Sequence, residues 1–508
     1  MTPEHFDVVI VGAGLSGIGA AYHLQRRCPG KRLLILEARD CIGGTWDLFR
    51  YPGVRSDSDM YTLGYAFKPW TQGKAIADGP SILNYVRETA QENRIDRLIR
   101  FKHRVQRAAW STPDARWTLE VARADADADS GSDGGSESAA RQPLQISASF
   151  VFMCAGYYRY DQGYQPDFPG IEHFAGRVVH PQHWSPDIDV AGKRVVVIGS
   201  GATAVTLLPS LAQTAQHVTM LQRSPSYVVA RPASDAVANW LRQKLPATLA
   251  YGLTRWKNVL IGMFYYRLSQ KRPDAVKQRM VGGVQAALGP AYDVAKHFTP
   301  AYKPWDQRVC LVPDGDLFAA IRSGKASVVT DQIECFTASG IRLKSGSELA
   351  ADVVVSATGL VLQVLGGLQI SVDGQAVDLA KTLNYKGMMY SELPNLASCL
   401  GYTNASWTLK ADLTSEYVCR LLNHLDRQRL RQCTPRRTDP TLGEQPWSSF
   451  SSGYVQRSLA QFPKQGSRTP WRLHQNYARD LLSLRFSRLD DGEMVFSNPA
   501  PLAERRAA

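Results

Sequence analysis

The sequence predicts an α/β protein built from two units of one kind, the second inserted in the first. This prediction rests on an internal repeat, in which DVVIVGAGLSGIGAAYHL from Asp7 returns as KRVVVIGSGATAVTLLPSL from Lys193. Each copy reads as an apolar strand, a glycine turn and an amphipathic helix. Each is followed later by a similar strand, SFVFMCAG ending at Gly156 and DVVVSATG ending at Gly359. Such units are typical of Rossmann-like dinucleotide-binding domains.

The positions of the repeats predict the domain boundaries. We expect a first domain over residues 1–160 and 360–508, and a second over residues 170–230 and 306–358. A helical insertion is expected over residues 231–305. Residues 123–142 are acidic and serine-rich without large apolar side chains, so they are expected to form a flexible hairpin loop.

The composition is that of an ordinary globular protein and excludes several classes. The 508 residues are 44% hydrophobic and 21% charged, with a formal net charge of +13. A basic balance favours anionic partners such as dinucleotide phosphates or an anionic membrane surface. Nucleic acid is not expected, because the zinc spacings, basic helix arms and aromatic motifs of such proteins are absent. The N-terminus shows no signal peptide pattern, so a cytoplasmic location is expected.

The eight cysteines form no C-x-x-C pair. Their scatter argues against a disulfide framework, against a metal site and against a dithiol redox centre. A disulfide reductase, which would also contain two dinucleotide-binding domains, is therefore not expected.

The helical insertion contains a basic and aromatic segment, NWLRQKLPATLAYGLTRWKNVLIGMFYYRLSQKR. Arg255 and Lys257 interrupt its apolar run, so it is not expected to span a bilayer. Two compatible interpretations stay open. The insertion is a lid packed over the active site, or residues 239–272 make peripheral contact with a membrane surface.

The first glycine turn is Gly12-Ala13-Gly14-Leu15-Ser16-Gly17. Gly12 permits the tight turn, Gly14 lets the backbone approach a pyrophosphate, and Gly17 lets the helix pack on the strand. The N-terminus of that helix then faces the phosphates. Glu37 ends the next strand 20 residues after Gly17, where an acid accepts hydrogen bonds from ribose hydroxyls.

The second glycine turn is Gly199-Ser200-Gly201-Ala202-Thr203-Ala204, continued by Val205. Its next strand ends in Arg223 and Ser224, where an acid would otherwise stand. A guanidinium suits the 2′-phosphate of NADPH, so NADPH is favoured over NADH; the alternative is a solvated charge at a strand end. Two dinucleotide sites in one chain indicate hydride transfer from NADPH to a flavin, the FAD of the first domain.

Two further stretches resemble a known family. Residues 44–57, GTWDLFRYPGVRSD, match the G-x-W-x-x-x-x-[FY]-P-G-x-x-x-D signature of class B flavin monooxygenases. Residues 174–185, FAGRVVHPQHWS, resemble the F-x-G-x-x-x-H-x-x-x-W-[PD] fingerprint of Baeyer–Villiger monooxygenases and depart from it at Ser185. Similar stretches, among them GYTNASWTLKADL and PKQGSRTPWRLHQNY, extend the resemblance over nearly the whole chain outside residues 123–142.

The resemblance implies a Baeyer–Villiger monooxygenase that consumes NADPH and O2 and uses FAD. It would convert ketones to esters or lactones through a C4a-peroxyflavin, and would also oxidise sulfides or thioamides at sulfur. The alternative in the same class is an N- or S-oxidising flavin monooxygenase without ketone activity. The alternative of another class is an inactive nucleotide-binding flavoprotein module. The substrate and the oligomeric state stay open.

By the same resemblance Arg308, in WDQRVCLVPDGD, is the catalytic arginine, and Asp57 pairs with it near the flavin. Arginine suits this role, because the reaction develops negative charge on oxygen and a guanidinium stays charged when partly buried. Gln307 stands where many relatives have a lysine, so a second cation is not expected there. The alternative for Arg308 is a structural ion pair.

The resemblance assigns further roles to other residues. Arg55 and Ser56 would reach toward NADP, and Val105 would contact the adenine through its backbone or be a plain core residue. The remaining FAD contacts are expected from Thr45, Trp46, Asp47 and Leu48. A hinge between moving domains is expected at Phe174, Gly176, His180 and Trp184. Trp407 and Trp471 would either line the pocket or simply pack.

Overall fold

The computed structural model describes residues 3–123 and 143–499. The predicted loop 123–142 lies outside these residues, apart from Arg123. The helices are α1 (Leu15–Arg27), α2 (Thr45–Leu48), α3 (Met60–Leu63), α4 (Gly79–Glu92), α5 (Ala202–Leu211), α6 (Ala236–Lys244), α7 (Ala247–Lys271), α8 (Pro273–Leu288), α9 (Val294–Phe298), α10 (Asp316–Arg322), α11 (Trp407–Gln428), α12 (Gly453–Gln456) and α13 (Tyr477–Arg485).

The strands number consecutively along the same residues. They are β1 (Glu4–Val11), β2 (Leu33–Leu36), β3 (Ile99–Arg100), β4 (His103–Ser111), β5 (Arg116–Arg123), β6 (Leu144–Met153), β7 (Tyr158–Gly163), β8 (Arg177–Val179), β9 (Arg194–Ile198), β10 (His217–Gln222), β11 (Val228–Arg231), β12 (Cys310–Pro313), β13 (Ala326–Thr330), β14 (Ile333–Thr337), β15 (Gly340–Leu343), β16 (Glu348–Ala350), β17 (Val353–Ser356), β18 (Leu360–Leu362), β19 (Gln369–Val372), β20 (Gln375–Ala376), β21 (Asn384–Tyr385), β22 (Met389–Tyr390), β23 (Leu396–Ser398), β24 (Gln432–Pro435), β25 (Glu444–Gln445), β26 (Gln465–Gly466) and β27 (Met494–Ser497).

The first unit is built on a sheet with the strand order β20-β19-β4-β5-β6-β1-β2-β3, with β23 also paired to β6. β1 lies inside this sheet and pairs in parallel with both β2 and β6. Its residues Val8, Val9 and Ile10 are fully buried, as expected of a parallel strand covered on both faces. The carboxyl end of β1 therefore opens at an interior point of the sheet, which positions the first glycine turn.

The second unit is built on a parallel sheet with the order β13-β10-β9-β17-β8. Val195 to Val197 of β9 pair with Val218 to Met220 of β10 on one side and Val353 to Val355 of β17 on the other. The chain leaves the first sheet before β8 and returns to it at β19. The fold class is thus confirmed, with two Rossmann-like units of which the second is inserted in the first.

The two crossings between the units lie side by side. β7, on the way into the second unit, pairs antiparallel with β18 on the way back. Gly163 pairs with Leu360 near one end of this ribbon. The two connections therefore form one small structure between the units.

The helical insertion contacts both units. α7 packs on α3 of the first unit, whereas Val284 of α8 and both Val294 and Phe298 of α9 join the core of the second unit. Within the described residues, no helix combines the length and apolar character needed to cross a membrane. The predicted domain boundaries and the lid interpretation stay predictions.

Candidate active site

The first glycine turn joins β1 to α1 through contacts that leave no room for larger residues. Gly12 has a φ of 106°, and a Cβ there would lie 2.7 Å from the Cys154 carbonyl oxygen. A Cβ on Gly17 would lie 1.9 Å from the Gly12 carbonyl oxygen, so α1 packs directly on the turn. A Cβ on Gly14 would meet the Cα of Gly44 at 3.4 Å. The turn therefore depends on glycine at positions 12 and 17, whereas a Cβ at position 14 would make only an ordinary contact.

The start of α1 is suited to an anion. In the described residues no side chain caps the helix at Gly14, so the N–H groups of its first turn point toward whatever lies in front of it. Glu37, directly after β2, accepts the Ala13 N–H at 2.6 Å and the Arg39 N–H at 2.9 Å. Glu37 is buried, and burial raises its pKa. Its carboxylate is thus held against the turn, where ribose hydroxyls are expected.

Asp47 in α2 is held by several cations. It is 2% exposed, and it accepts hydrogen bonds from Arg50 and from Arg87, both at 3.1 Å. Burial opposes its ionisation, but the Cys41 thiol, Arg39 and Arg50 outweigh burial and lower the pKa of Asp47. Asp47 therefore anchors α2 beside the first turn, with its carboxylate already occupied by protein groups.

The other predicted FAD contacts differ in what they offer a ligand. The Thr45 hydroxyl lies 3.4 Å from that of Tyr160, and Leu48 ends α2. Trp46 packs against the core of the first unit. Val105 is buried at a bulge of β4, so a ligand contact there would come from its backbone.

An aromatic wall stands next to the first turn. Trp407, at the start of α11, donates its Nε1–H to the Ser16 hydroxyl oxygen at 2.7 Å. Its ring stacks on Tyr157 with centroids 5.1 Å apart and planes 7° apart, and the Tyr157 hydroxyl lies 3.1 Å from that of Tyr158. Trp471, by contrast, is 1% exposed and packs in the core.

The second glycine turn repeats the features of the first. Gly199 has a φ of 137°, and a Cβ there would lie 2.4 Å from the Ala357 carbonyl oxygen. α5 begins at Gly201, again without a side-chain cap among the described residues, and a Cβ on Gly201 would meet nothing within 4 Å. Ala204 and Val205 are buried in the core of the second unit. The open side of the turn is therefore at Gly201 and Ala202, in front of the helix.

Arg223 and Ser224 follow β10 directly and are exposed. The Ser224 carbonyl oxygen accepts a hydrogen bond from the Ser200 hydroxyl at 3.0 Å, which ties this segment to the second turn. Among the described residues Arg223 has no ion-pair partner. Burial raises the pKa of Tyr51 to about 12, and a hydrogen bond to Thr203 partly opposes this rise. Tyr51, from the first unit, thus contacts the start of α5.

Arg308 lies between the two turns and pairs with Asp57. Asp57 is the largest influence on Arg308 and raises its pKa well above the usual range. Cys310, two residues later, points its thiol at the Ser200 carbonyl oxygen of the second turn, 3.8 Å away. Tyr157, which also acts on the pKa of Arg308, belongs to the wall at the first turn. The guanidinium is therefore a permanent cation with neighbours at both turns.

Three tyrosines enclose this cation. Burial raises the pKa of Tyr158 and of Tyr454 to about 12 each and that of Tyr157 further still. Arg308 opposes the shift of Tyr454 through its charge and a hydrogen bond. Near neutral pH all three phenols are protonated, so the Arg308–Asp57 pair has neutral donors around it.

Arg55 and Ser56 point to other partners. Arg55 pairs with Asp316 at the start of α10 and lines a cavity of about 490 Å³ that runs along Thr206 and Ser210 of α5. The second glycine turn lies at the opposite, N-terminal end of α5. Ser56 is buried and donates its hydroxyl to the Ser58 carbonyl oxygen at 2.6 Å. Neither side chain is brought to the second turn in this structure.

The fingerprint residues 174–184 lie at the start of the second unit and next to the ribbon formed by β7 and β18. Phe174 is buried, Trp184 packs against the core of the second unit, and a Cβ on Gly176 would lie 2.5 Å from the Asp352 carbonyl oxygen. The His180 Nε2 donates to the Gly359 carbonyl oxygen at 3.2 Å, while its Nδ1 accepts the Gln182 N–H at 3.2 Å. Burial lowers the pKa of His180, so its ring is a neutral link between the crossings.

The tyrosines and their supporting segment were not predicted from the sequence. Tyr157, Tyr158 and Tyr160 come directly after the end of β6, in GYYRY, and the carboxyl ends of parallel strands are where ligands bind in such sheets. That signal could have singled them out. Tyr454 lies in α12, and the Ser451 N–H donates to the Asp306 carbonyl oxygen at 2.8 Å. No sequence pattern indicates that this C-terminal segment packs on the Arg308 loop.

A fold with two dinucleotide-binding units and an arginine–aspartate pair near their turns is that of a two-dinucleotide oxidoreductase. The chain matches the family model described as flavin-binding monooxygenase-like over residues 77–393, and the model of the NAD(P)-binding Rossmann-like domain over residues 10–71.

Curated relatives match over the whole chain. It is 55% identical over 501 residues to the FAD-containing monooxygenase EthA of Mycobacterium tuberculosis, which covers 98% of this chain and 99% of that protein. It is 47% identical over 505 residues to the probable FAD-binding monooxygenase AlmA of Acinetobacter baylyi, covering 99% of this chain and 98% of that one. The chain therefore belongs to the flavin-binding monooxygenase family.

Solved structures share the fold. An oxidised steroid monooxygenase bound to NADP has a TM-score of 0.73 at 21% identity, with 97% of this chain and 100% of that chain covered. An ε-caprolactone-bound cyclohexanone monooxygenase has a TM-score of 0.72 at 18% identity over the same shares. At these identities the likeness shows the fold alone.

Proposed function

We propose that the protein is an FAD- and NADPH-dependent Baeyer–Villiger monooxygenase. It uses O2 to convert ketones to esters or lactones, and also oxidises sulfur compounds such as sulfides or thioamides. The observation that carries this proposal is the Arg308–Asp57 pair, which lies among three partly buried tyrosines and two residues before Cys310, whose thiol contacts the second glycine turn. A cation at this place suits chemistry in which negative charge develops on oxygen beside a dinucleotide.

The two turns fit two dinucleotides. Each helix begins uncapped at a glycine, which suits a pyrophosphate. The first turn with Glu37 would hold FAD, because the carboxylate lies against that turn as a ribose acceptor. The second turn with Arg223 and Ser224 would hold NADPH, because an exposed guanidinium is free to bind the 2′-phosphate. A bound flavin, once reduced by NADPH, supplies the electrons that activate O2 and the oxygen atom for the substrate.

Arg308 would orient the substrate, and the residues around it hold the guanidinium in place and limit its contact with water. The guanidinium would hydrogen-bond the carbonyl oxygen of a ketone and stabilise the negative charge that develops there on attack. Asp57 fixes the guanidinium in place. The phenols of Tyr157, Tyr158 and Tyr454 stay protonated and partly shield the guanidinium, whose side chain is 33% exposed, which strengthens the electrostatic interaction.

Arg308→Ala tests the proposal. The variant should keep its FAD and lose ester formation, with turnover lower by about 100-fold or more, because the cation acts on the reacting oxygen and not on FAD binding. Products from a panel of ketones and sulfides, supplied with NADPH and isotope-labelled O2, are measured by mass spectrometry. Flavin content is measured by absorbance in the same samples.

Arg436→Ala is the matched control, because it removes an exposed arginine that pairs with Glu392 on the surface, away from Arg308. It should change neither flavin content nor product. Ester formation by Arg308→Ala at the parental rate would show that another group supplies the cation. If the parent protein incorporates labelled oxygen into sulfides but yields no ester from any ketone, the S-oxidising alternative would replace the proposed ketone chemistry.

A further inference from the structure

Helix α7 is apolar on two opposite sides. One side is buried against the protein, and besides the apolar residues Ala250, Tyr251 and Val259 it carries Thr254, Arg255 and Ser269. The other side carries a row of exposed side chains: Leu249, Leu253, Trp256, Leu260 and Phe264, each between 45% and 62% exposed. At a helical advance of roughly 100° per residue these five fall within about 80° of arc. They form a continuous apolar stripe that nothing in the described chain covers.

The stripe continues onto neighbouring helices. α6, which packs on α7, exposes 57% of Trp240. The Trp256 ring lies 5.7 Å from the Tyr477 ring at the start of α13, and the far end of α13 exposes 61% of Leu482 and 72% of Phe486. We call the exposed side of α6, α7 and α13 the apolar face.

The apolar face holds nearly all the exposed apolar bulk of the described residues. Of twelve exposed large hydrophobic side chains, nine lie on α6 and α7 and two at α13. Scattered single residues of this kind are ordinary on a protein surface, but their concentration on one surface marks an interaction site.

The segment that forms α6 and α7 is basic. Residues 236–272 contain seven lysines and arginines and no acid. Arg267 and Lys271 are exposed and continue the helical register of the stripe beyond Phe264. Lys244 and Arg272 are exposed at the ends of α6 and α7. Within the part of the chain that the structure describes, none of these four cations forms an ion pair.

We propose that the apolar face docks on the surface of a bilayer that contains anionic phospholipid. Exposed Trp, Tyr and Phe side chains beside unpaired cations match the interface between acyl chains and anionic headgroups. A second copy of this chain is a poorer occupant, because a symmetric contact would bring the unpaired cations of the two copies together. The opposite side of α7 is buried against the protein, so the helix would lie in the plane of the bilayer surface.

Vesicle flotation tests the proposal with the full chain carrying FAD. The parent should float with vesicles of equal parts phosphatidylcholine and phosphatidylglycerol, less with phosphatidylcholine alone, and less at high salt. Phe264→Glu should weaken binding about tenfold or more, because a charge replaces an apolar group at the interface. Leu260→Ser is a milder second variant and should weaken binding in the same direction.

Val495→Glu is the matched control, since Val495 is an exposed large hydrophobic of β27 outside the apolar face. It makes the same kind of change and should bind vesicles like the parent. FAD content and NADPH oxidation by all variants should equal those of the parent, so docking and oxygenase chemistry are judged separately. A parent that never floats, or Phe264→Glu and Val495→Glu that bind alike, would overturn the proposal. If the parent does not bind vesicles but forms a dimer, and Phe264→Glu dissociates that dimer, the apolar face would instead bind a second copy of the chain.

Discussion

Arg308 owes its properties to residues that are remote in the sequence. Its partner Asp57 lies 251 positions earlier, and Tyr157 and Tyr454 come from two other segments. An isolated arginine on a loop would be a solvated charge of little consequence. Enclosed by phenols whose pKa values burial has raised, the same group is a fixed cation in a partly desolvated site.

Arg223 is the residue that should distinguish the two nicotinamide coenzymes. Arg223→Ala should weaken NADPH use by about 1 to 3 kcal/mol and leave NADH nearly unchanged, because the 2′-phosphate is present in NADPH alone. The measurement is kcat/KM for oxidation of each coenzyme. Arg342→Ala, which removes another exposed arginine of the second unit, is the control. An equal loss with both coenzymes would mean that Arg223 does not bind the 2′-phosphate.

The ribbon of β7 and β18 is the element that couples the two units. His180 uses both ring nitrogens on backbone groups of this region, which fits a positioning residue better than an acid or base. The ring lies so close to Gly163 that a Cβ there would meet its Cε1 at 2.0 Å. The prediction of a hinge at His180 therefore implies that movement between the units would disturb this contact.

Gly163→Ala should therefore displace His180 and strain the ribbon. Overpacking of this kind costs about 1 to 3 kcal/mol, so the melting temperature should fall. The rate of flavin reduction by NADPH in stopped flow should change as well, if the ribbon is the hinge. Gly30→Ala, whose Cβ would meet nothing within 4 Å, should leave both measurements unchanged. A reduction rate equal to that of the parent would argue against the hinge.

At the scale of the whole molecule, a buried charge cluster fastens the helical insertion to the first unit. The Asp412 carboxylate accepts hydrogen bonds from His23 at 3.2 Å and from the Ala66 N–H at 3.0 Å, and it pairs with Arg255 at 3.5 Å. Arg255 also donates to the Gly64 carbonyl oxygen at 2.7 Å. α1, α7 and α11 therefore meet at one charged point inside the protein.

Arg255→Ala should destabilise the protein by about 3 to 5 kcal/mol, because Asp412 would lose its buried cation. Burial opposes ionisation of Asp412, but His23 and Arg255 outweigh it and lower its pKa. The contribution to stability is therefore present above the ordinary aspartate pKa of about 3.9 and lost as the pH falls below it.

Melting temperatures of the parent and Arg255→Ala, compared from neutral to acid pH, check this expectation. The difference between the two should shrink in acid. Lys257→Ala is the control, since Lys257 pairs with Asp235 at a more exposed position and should cost little. A difference that stays constant with pH would show that Asp412 does not mediate it.

The parts of this protein that the sequence predicts directly are those made by near neighbours in the chain. A strand, a glycine turn and a helix follow one another within about twenty residues, and the contact that requires glycine at position 17 is made with Gly12, five residues earlier. Glu37 and Arg223 come at set distances from those turns. The nested arrangement of the two Rossmann-like units was predicted from the order of the repeats along the chain.

The tertiary structure decided what each polar or apolar side chain faces. In the sequence, Arg255 is a charge that interrupts an apolar run. In the folded protein, packing buries it as the ion-pair partner of Asp412. Arg55 forms an ion pair with Asp316 and does not reach the second turn. The tyrosines around Arg308 come from segments that are distant in the sequence. α7 has apolar residues on both sides, and helical periodicity cannot tell which side the protein covers. Burial depends on contacts between remote parts of the chain, and those contacts exist only once the chain has folded.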